Sequence, residues 1–243
     1  MDHTNNSCCC GEAEHFSGCL ICGAPITYRA ESSIHTCSIC HKEQLTNAVC
    51  ENSHFICDAC HSYGTYAPVI AALRDSTEKD ALLLLEKIMD LPSVHMHGPE
   101  HHAIVPCVLL TAFRNNGEHM DYDAALSEIC KRAKQVPGGT CGYWGVCGVA
   151  AGAGIFMSVM TGSSPLHKYA WPFPQKLVSI ILSRLADVGG PRCCKRTSRI
   201  AIEEAVHFYS QFCSVNIPLS SITCKYCEDN RECIQEDCPY YPE

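Results

Sequence analysis

The sequence has no long apolar run, no apolar leader segment and no excess of basic residues. No stretch approaches the roughly 18 consecutive apolar residues of a membrane helix, so we expect no membrane association. The formal net charge of -8 argues against nucleic acid as a partner, because proteins that bind the phosphate backbone need an excess of Lys and Arg. Since the chain begins without an apolar signal segment, we expect a protein of the reducing cytoplasm.

Two motifs of cofactor-dependent enzymes are also missing. The C-x3-C-x2-C spacing of radical S-adenosylmethionine enzymes is absent, and so is the P-loop of nucleotide-binding proteins. Gly152 and Gly154 form an isolated G-x-G pair, which is too short a motif to indicate a nucleotide site.

Cysteine and histidine are abundant instead, with 21 and 13 residues in a chain of 243. In a short secreted chain this many cysteines would predict disulfides, but in a reducing compartment they predict metal sites. Eight of the cysteines form four C-x2-C pairs, a spacing that allows two thiolates to bind one ion.

The first cysteine-rich segment contains eight candidate ligands in four pairs, enough for two closed tetrahedral sites. So few aliphatic residues accompany them that we expect structural zinc to be needed for folding. Two pairings remain open: an interleaved cross-brace, as in the middle of RING-type domains, or a sequential arrangement like that of a zinc ribbon. A RING has further pairs in a different order, so ubiquitin-ligase activity does not follow, and His61 is left over. The predicted ligands are Cys19, Cys22, Cys37, Cys40, Cys50, His54, Cys57 and Cys60.

The C-terminal tail is a second short segment that is rich in cysteine and poor in apolar residues. Its four cysteines can hold one zinc ion or one iron–sulfur cluster. Because the C-x2-C-x2-C spacing of bacterial ferredoxins is absent, zinc is favoured. The predicted ligands are Cys224, Cys227, Cys233 and Cys238.

A third segment, His95 to His102, contains four histidines and one glutamate. Pro99 suits the first turn of a helix, so Glu100, His101 and His102 should lie at a helix N-terminus. Histidine is a common metal ligand and titrates near neutral pH, so these three residues are candidate catalytic residues in a metal or proton-transfer site. Histidines that simply bond to backbone groups at the helix end are the alternative.

Cys141 and Cys147 lie in a glycine-rich segment, Gly138 to Phe156. Glycine lets the backbone come close to whatever the thiolates hold, and the Ala/Gly run that follows predicts a close-packed helix. The two cysteines would then lie at the helix N-terminus, where the helix dipole lowers a thiol pKa. We expect thiolates that bind a metal or cluster, or that react. Two buried core cysteines are the alternative.

Cys193 and Cys194 repeat this design before a helix that Thr197 or Ser198 could cap. Neighbouring Arg and Lys residues should favour the thiolate form. Because adjacent cysteines cannot readily bridge each other, at least one should face a partner in the glycine-rich segment. Catalytic and cofactor-binding roles are therefore predicted for Cys141, Cys147, Cys193 and Cys194.

These segments predict a mainly α protein with cysteine-rich metal modules at both ends. Residues 1–18, which include Cys8, Cys9 and Cys10, are expected to form a mobile arm. The other predicted units are a zinc-binding module at 19–64, a helical core at 65–215 and a four-cysteine metal-binding tail at 216–243.

The motifs HGPEHH, CGYWGVCGVAAGAGIF and GGPRCCKR together resemble a cysteine-rich domain family of anaerobic bacteria and archaea. The resemblance covers the chain from Cys19 to about Phe212. It implies a cytosolic protein of anaerobic metabolism, sometimes attached to or found beside S-adenosylmethionine-dependent methyltransferases. No reaction is established for that family, so it assigns no catalytic residue.

Two main functions agree with these patterns, and thiol-based handling of soft metals by Cys8 to Cys10 and the vicinal cysteines is a third. The first is a metalloenzyme or sulfur carrier whose Cys/His pocket holds an iron–sulfur cluster or reactive thiolates and acts on a small or sulfur-containing molecule, for example as a lyase or a sulfur transferase. The second is a zinc-stabilised accessory module without catalysis of its own that docks a partner enzyme such as a methyltransferase. The first function requires the histidine segment, the glycine-rich segment and the Cys193–Cys194 pair to converge on one pocket.

Overall fold

A computed structural model describes residues 18–212 and 214–243 of the chain. Residues 1–17 of the predicted arm, which include the three consecutive cysteines, lie outside the described residues. The described part contains nine α-helices, one short 3-10 helix and a two-stranded sheet, so the prediction of a mainly helical protein is confirmed. Within this part, no helix combines the length and the apolar character that crossing a membrane requires.

The elements follow one another with the hairpin first and the helices after it. They are β1 (Ile26–Thr36), β2 (Glu43–Cys50), α1 (Asp58–His61), α2 (Tyr66–Asp75), α3 (Ala81–Met89), α4 (His101–Asn115), α5 (Tyr122–Ala133), α6 (Thr140–Tyr143), α7 (Gly148–Thr161), α8 (Pro172–Val188), α9 (Cys194–Tyr209) and the 3-10 helix Gln235–Asp237.

The hairpin of β1 and β2 is antiparallel, with an irregularity between Tyr28 and Ser33. Most of its side chains are exposed, so the sheet contributes little apolar burial. A separate small cluster beside it consists of four buried residues, two of which are predicted metal ligands: Cys37, Val49, Phe55 and Cys57. So small a core cannot stabilise the module alone, which agrees with a fold that depends on bound metal.

Helix α4 is the centre of the helical core, because every side chain from His101 to Phe113 is buried. Helices α3, α5, α7 and α9 pack around it. Phe113 on α4 contacts Phe156 of α7 and Tyr209 of α9, with ring centroids 5.5 and 4.7 Å apart. These aromatic contacts tie three helices together at one point.

The predicted close-packed Ala/Gly helix is confirmed as α7, which lies directly against α4. A Cβ at Gly152 would lie 2.3 Å from the carbonyl oxygen of His102, so only glycine permits this approach. That carbonyl would ordinarily accept a helical hydrogen bond from residue 106, but Pro106 has no N–H. Close packing of α7 therefore occurs where α4 lacks one of its own hydrogen bonds.

The expected cap at Thr197 or Ser198 is wrong. Helix α9 begins at Cys194, and its N-cap is Cys193, whose sulfur accepts a hydrogen bond from the backbone N–H of Arg196 at 3.4 Å. Lys195, Arg196 and Arg199 therefore lie within the first turns of the helix, and Arg192 precedes it.

Candidate metal centres and the cleft beside them

The eight predicted N-terminal ligands form two groups, and within each group all ligand atoms lie within 4.8 Å of one another. One group is Cys19, Cys22, Cys50 and His54, and the other is Cys37, Cys40, Cys57 and Cys60. The sulfur–sulfur distance is 3.9 Å between Cys22 and Cys50 and 3.8 Å between Cys40 and Cys57. Four sulfurs at about 2.3 Å from one tetrahedral ion would have nearly this separation. Of the two pairings that the sequence leaves open, the structure has the interleaved one.

Backbone N–H groups point at the sulfurs of both groups. His54 N–H donates to Cys50 Sγ at 3.2 Å, and Cys57 N–H donates to Cys37 Sγ at 3.4 Å. A hydrogen bond from the side-chain amide of Asn52 is the main cause that lowers the pKa of Cys22 to about 6. These donors favour the thiolate form, which is the form that binds metal. The two groups can hold metal ions, and all four ligands of each come from the protein.

A third group joins His61 of α1, His95 in the loop before α4 and Glu100, the N-cap of α4. Glu100 is fully buried, and its two oxygens lie 3.2 Å from His61 Nδ1 and 3.0 Å from His95 Nδ1. Nitrogen and oxygen ligands at about 2.0–2.2 Å from one divalent ion are roughly 3 Å apart. One ligand atom from each of the three residues lies within 4.8 Å of the other two, so this triad could hold a metal ion.

The triad is held firmly on its buried side and is open on the other. A Cβ at Gly98 would lie 2.1 Å from Glu100 Oε2, so glycine is required where the loop passes the carboxylate. Burial alone would raise the pKa of Glu100, but the hydrogen bonds with His61 and His95 lower it well below its ordinary range. The two histidine side chains are 19% and 26% exposed, so they can be reached from solvent while the carboxylate cannot.

His61 and His95 lie in the wall of a cleft of about 450 Å³ between the hairpin module and the helical core. This volume is typical of sites for small molecules. Arg192 joins the two sides, because its Nη1 donates to the Tyr28 hydroxyl at 2.6 Å and its guanidinium lies over the Tyr28 ring. Among the described residues, the cleft therefore has one guanidinium, Arg192, and one carboxylate, Asp58, beside histidines and other polar and apolar side chains.

Residues from all three predicted segments lie at this cleft. His102, Cys141 and Cys194 line it, one from each segment. The Cys194 thiol lies near the backbone N–H of Gly98, beside the triad. Cys147 lies behind the wall, where it neighbours both Cys141 and Cys194.

The predicted lowering of the thiol pKa values is wrong for three of the four cysteines. Burial raises the pKa of Cys194 to about 12, although Arg192 acts in the opposite direction. Burial also raises the pKa of Cys147, against the N–H groups at the start of α7, and that of Cys193. Helix ends and charges act as expected, but desolvation has the larger effect. On their own, these three are protonated thiols at neutral pH and not activated nucleophiles.

His101 and His102 are both anchored to backbone carbonyl groups. His101 is fully buried, with Nε2 3.0 Å from the carbonyl oxygen of His95, and burial lowers its pKa to about 3. His102 Nδ1 lies 3.1 Å from the carbonyl oxygen of Val136, and its ring packs against Gly148. The structure thus gives His101 the backbone-bonded environment that the sequence left as an alternative, whereas His102 also reaches the cleft.

Cys193 faces away from the cleft and lines a second, smaller cavity of about 20 Å³ together with the four tail cysteines. Among the described residues, the tail cysteines form none of the groups whose ligand atoms all lie within 4.8 Å of one another. The predicted tail ligands therefore share a cavity, but they are spaced more widely than the ligands of the two N-terminal groups.

The triad ligands His61 and His95 are residues that the sequence analysis did not select. His61 follows the last cysteine of the module and remains unassigned once eight ligands form two sites. Its partner Glu100 lies 39 positions away. An unassigned histidine beside a complete set of predicted zinc ligands is the local feature of the sequence that could have indicated this site. The packing of the module against the core brings the three residues together.

Comparison with known proteins gives a family match. The model of DUF5714, which is described as a family of unknown function, matches residues 69–241. This range starts later than the resemblance inferred from Cys19 onwards and extends beyond Phe212 to the tail cysteines. It includes His95 and Glu100 but not His61. No curated protein and no solved structure matches the chain.

Proposed function

The chain belongs to the DUF5714 family, a family of unknown function, and we propose from the geometry of the cleft that it is an enzyme using a divalent metal ion bound by His61, His95 and Glu100. The number of ligands supports this proposal. Each N-terminal group has four ligands, whereas this group has three and borders a cleft. Structural zinc sites are closed by four protein ligands, and catalytic sites keep one position for water or substrate.

The donor set indicates the class of metal. Two imidazoles and one carboxylate occur both in hydrolytic zinc sites and in non-haem iron(II) sites, while thiolate-rich sites favour softer ions. When bound, such an ion acts as a Lewis acid and lowers the pKa of a bound water molecule. The Nδ1 atoms of His61 and His95 face the two oxygens of the buried Glu100, so the three side chains already converge on one point.

The cleft suggests a small substrate that carries an anionic group. The Arg192 side chain is 30% exposed at the cleft, and its Nη2 lies 3.9 Å from the Glu232 carboxylate, so its guanidinium already faces one carboxylate and can offer further donors to the carboxylate or phosphate of a substrate. We do not assign Cys194 as a nucleophile in this proposal, because burial keeps its thiol protonated at neutral pH. Cys141 is exposed at the same cleft and remains available for a sulfur-containing substrate.

Metal content and spectroscopy test the proposal. We expect His95→Ala and Glu100→Gln each to lose one divalent ion per chain relative to the wild-type protein. His119→Ala, which changes an exposed histidine outside the three groups, should lose none. With Co²⁺ in place of the native ions, azide should shift the visible bands of the wild-type protein and not those of His95→Ala, because only an open site accepts a further ligand.

Two results would contradict the enzyme proposal. The first is unchanged metal content in both triad variants, with native circular dichroism showing that they are folded. The second is a cobalt spectrum that azide does not alter in the wild-type protein, because this would mean that no coordination position is open.

An accessory role is the second candidate, and the surface of the hairpin favours it. Ile34 and Leu45 are directly opposite each other across the two strands and are 68% and 70% exposed. A paired apolar patch at a sheet surface is a common docking feature. If the protein docks a methyltransferase, a double Ile34→Thr, Leu45→Thr variant should lose co-elution with the purified enzyme in gel filtration and retain its metal content. Co-elution of the variant, or none of the wild-type protein, would contradict this role.

A further inference from the structure

Five cysteines line one small cavity on the far side of α9 from the cleft. Four belong to the tail, and the fifth, Cys193, is the N-cap of α9: Cys193, Cys224, Cys227, Cys233 and Cys238. The tail and the helix N-terminus are more than 30 positions apart in sequence, so this convergence is tertiary. Cys193 lies close enough to Cys224 for the two thiols to interact electrostatically, and Cys227 interacts with both Cys224 and Cys233.

The spacing of these sulfurs does not suit a single ion. In each of the two N-terminal groups, the four ligand atoms all lie within 4.8 Å of one another. Among the described residues, no three of the five cavity cysteines have sulfurs that close together. The five cysteines line a void of about 20 Å³. Thiolates around a polynuclear cluster are farther apart than those around one zinc ion, because several metal and sulfide atoms separate them.

Positive charge is buried at the same cavity. Arg196 and Arg199 both line it and are 3% and 0% exposed. The guanidinium of Arg196 donates to the carbonyl oxygens of Gly189 and Pro191, and among the described residues it forms no ion pair with a carboxylate. A buried charge requires compensation, so a negative group beside Arg196 would be favourable.

Arg199 also has a hydrogen-bond donor without a partner. Its Nε and Nη2 bind the Glu86 carboxylate at 2.7 and 2.9 Å, but Nη1 is buried and has no hydrogen-bond partner in the described structure. Burial acts to lower the pKa of Arg199, but Glu86 and, to a smaller extent, the adjacent Cys224 raise it above its ordinary value. An unsatisfied buried donor is costly, and a cluster sulfur or a metal-bound thiolate would satisfy it.

We propose that this cavity holds one iron–sulfur cluster bound by Cys193 together with cysteines of the tail, with Arg199 as a hydrogen-bond donor to its sulfur atoms. This assignment differs from the single zinc ion that the tail sequence favours, and it adds a ligand from outside the tail. It does not depend on the metal triad of the cleft.

The vicinal pair offers a matched test. The protein is prepared without oxygen, reconstituted with iron and sulfide, and analysed for iron, acid-labile sulfide and the visible charge-transfer band. The wild-type protein and Cys194→Ser should contain iron and sulfide in comparable amounts, because Cys194 faces the cleft. Cys193→Ser should lose most of both, and Cys227→Ser, a change in the tail that leaves α9 intact, should do the same.

Two controls, the folding of each variant and the identity of the bound metal, are needed to interpret the iron content. Native circular dichroism and an unchanged content of the two N-terminal metal sites show that a variant is folded. The proposal is overturned if the reconstituted wild-type protein takes up no iron and sulfide, if zinc occupies the tail instead, or if folded Cys193→Ser retains the full iron content.

Discussion

Cys193 and Cys194 are adjacent in the chain, yet their side chains line different cavities. Cys193 has extended backbone angles as the N-cap of α9, whereas Cys194 is the first residue of the helix. The change of backbone conformation between the two residues turns their side chains in different directions. The start of α9 is therefore a shared wall between the cleft with the metal triad and the cavity of the tail cysteines.

The two N-terminal groups should be required for folding of the hairpin module. We expect Cys37→Ser to lose one metal ion per chain and to make residues 19–64 sensitive to protease, since Cys37 is fully buried in a group of four ligands. Cys141→Ser changes an exposed cysteine outside these groups and should do neither. Metal analysis and limited proteolysis measure the effect, and a protease-resistant module in metal-free Cys37→Ser would contradict it.

Gly148 should tolerate no side chain. A Cβ there would lie 2.3 Å from His102 Nε2, so Gly148→Ala must displace a buried ring. We expect a loss of about 1–3 kcal/mol in the free energy of unfolding. Gly142 has no atom within 4 Å of its Cβ position, so Gly142→Ala should leave stability nearly unchanged. Denaturant unfolding of both variants compares them, and an equal effect would show that α7 does not pack on His102 as described.

The buried ion pair of Arg199 with Glu86 should contribute far more to stability than an exposed pair. Glu86→Gln leaves the fully buried guanidinium without its counter-charge, and we expect a loss of about 3 kcal/mol. Asp123→Asn removes the partner of Arg74 in an exposed pair, in which the Asp123 side chain is 76% exposed and that of Arg74 is 55% exposed. This change should lower the free energy of unfolding by at most about 1 kcal/mol. Thermal and denaturant unfolding provide the comparison, and similar losses for the two variants would disprove it.

Alkylation should distinguish the thiols of the cleft. At pH 7.5 iodoacetamide should label the exposed Cys141 rapidly and Cys194 very slowly, because burial raises the pKa of Cys194 to about 12. Below that pKa the thiolate fraction, and with it the labelling rate of Cys194, should rise about tenfold for each pH unit. Peptide mass spectrometry after timed labelling measures both rates. Rapid labelling of Cys194 at neutral pH would mean that it is an activated thiolate after all.

Short sequence motifs predicted the local structure of the segments that contain them. Three C-x2-C pairs and one C-x3-H pair identified the eight residues that form the two N-terminal groups, and the Ala/Gly run identified α7 with Cys147 immediately before it. The start of α9 was placed too late, since a cysteine sulfur occupies the capping position that a hydroxyl was expected to fill. The thiol pKa values were also mispredicted, because charge and helix position are visible in a sequence but the degree of desolvation is not.

The sequence by itself determined the eight residues of the two N-terminal groups and the helical character of the core, because both depend on residue type and short spacing. Only the tertiary structure decided which ligands belong together. It interleaved the N-terminal pairs, brought His61 of the module to His95 and Glu100 of the core, and turned Cys193 toward the tail. These choices depend on contacts between segments far apart in sequence and on the water that packing removes, and neither is encoded in any local pattern.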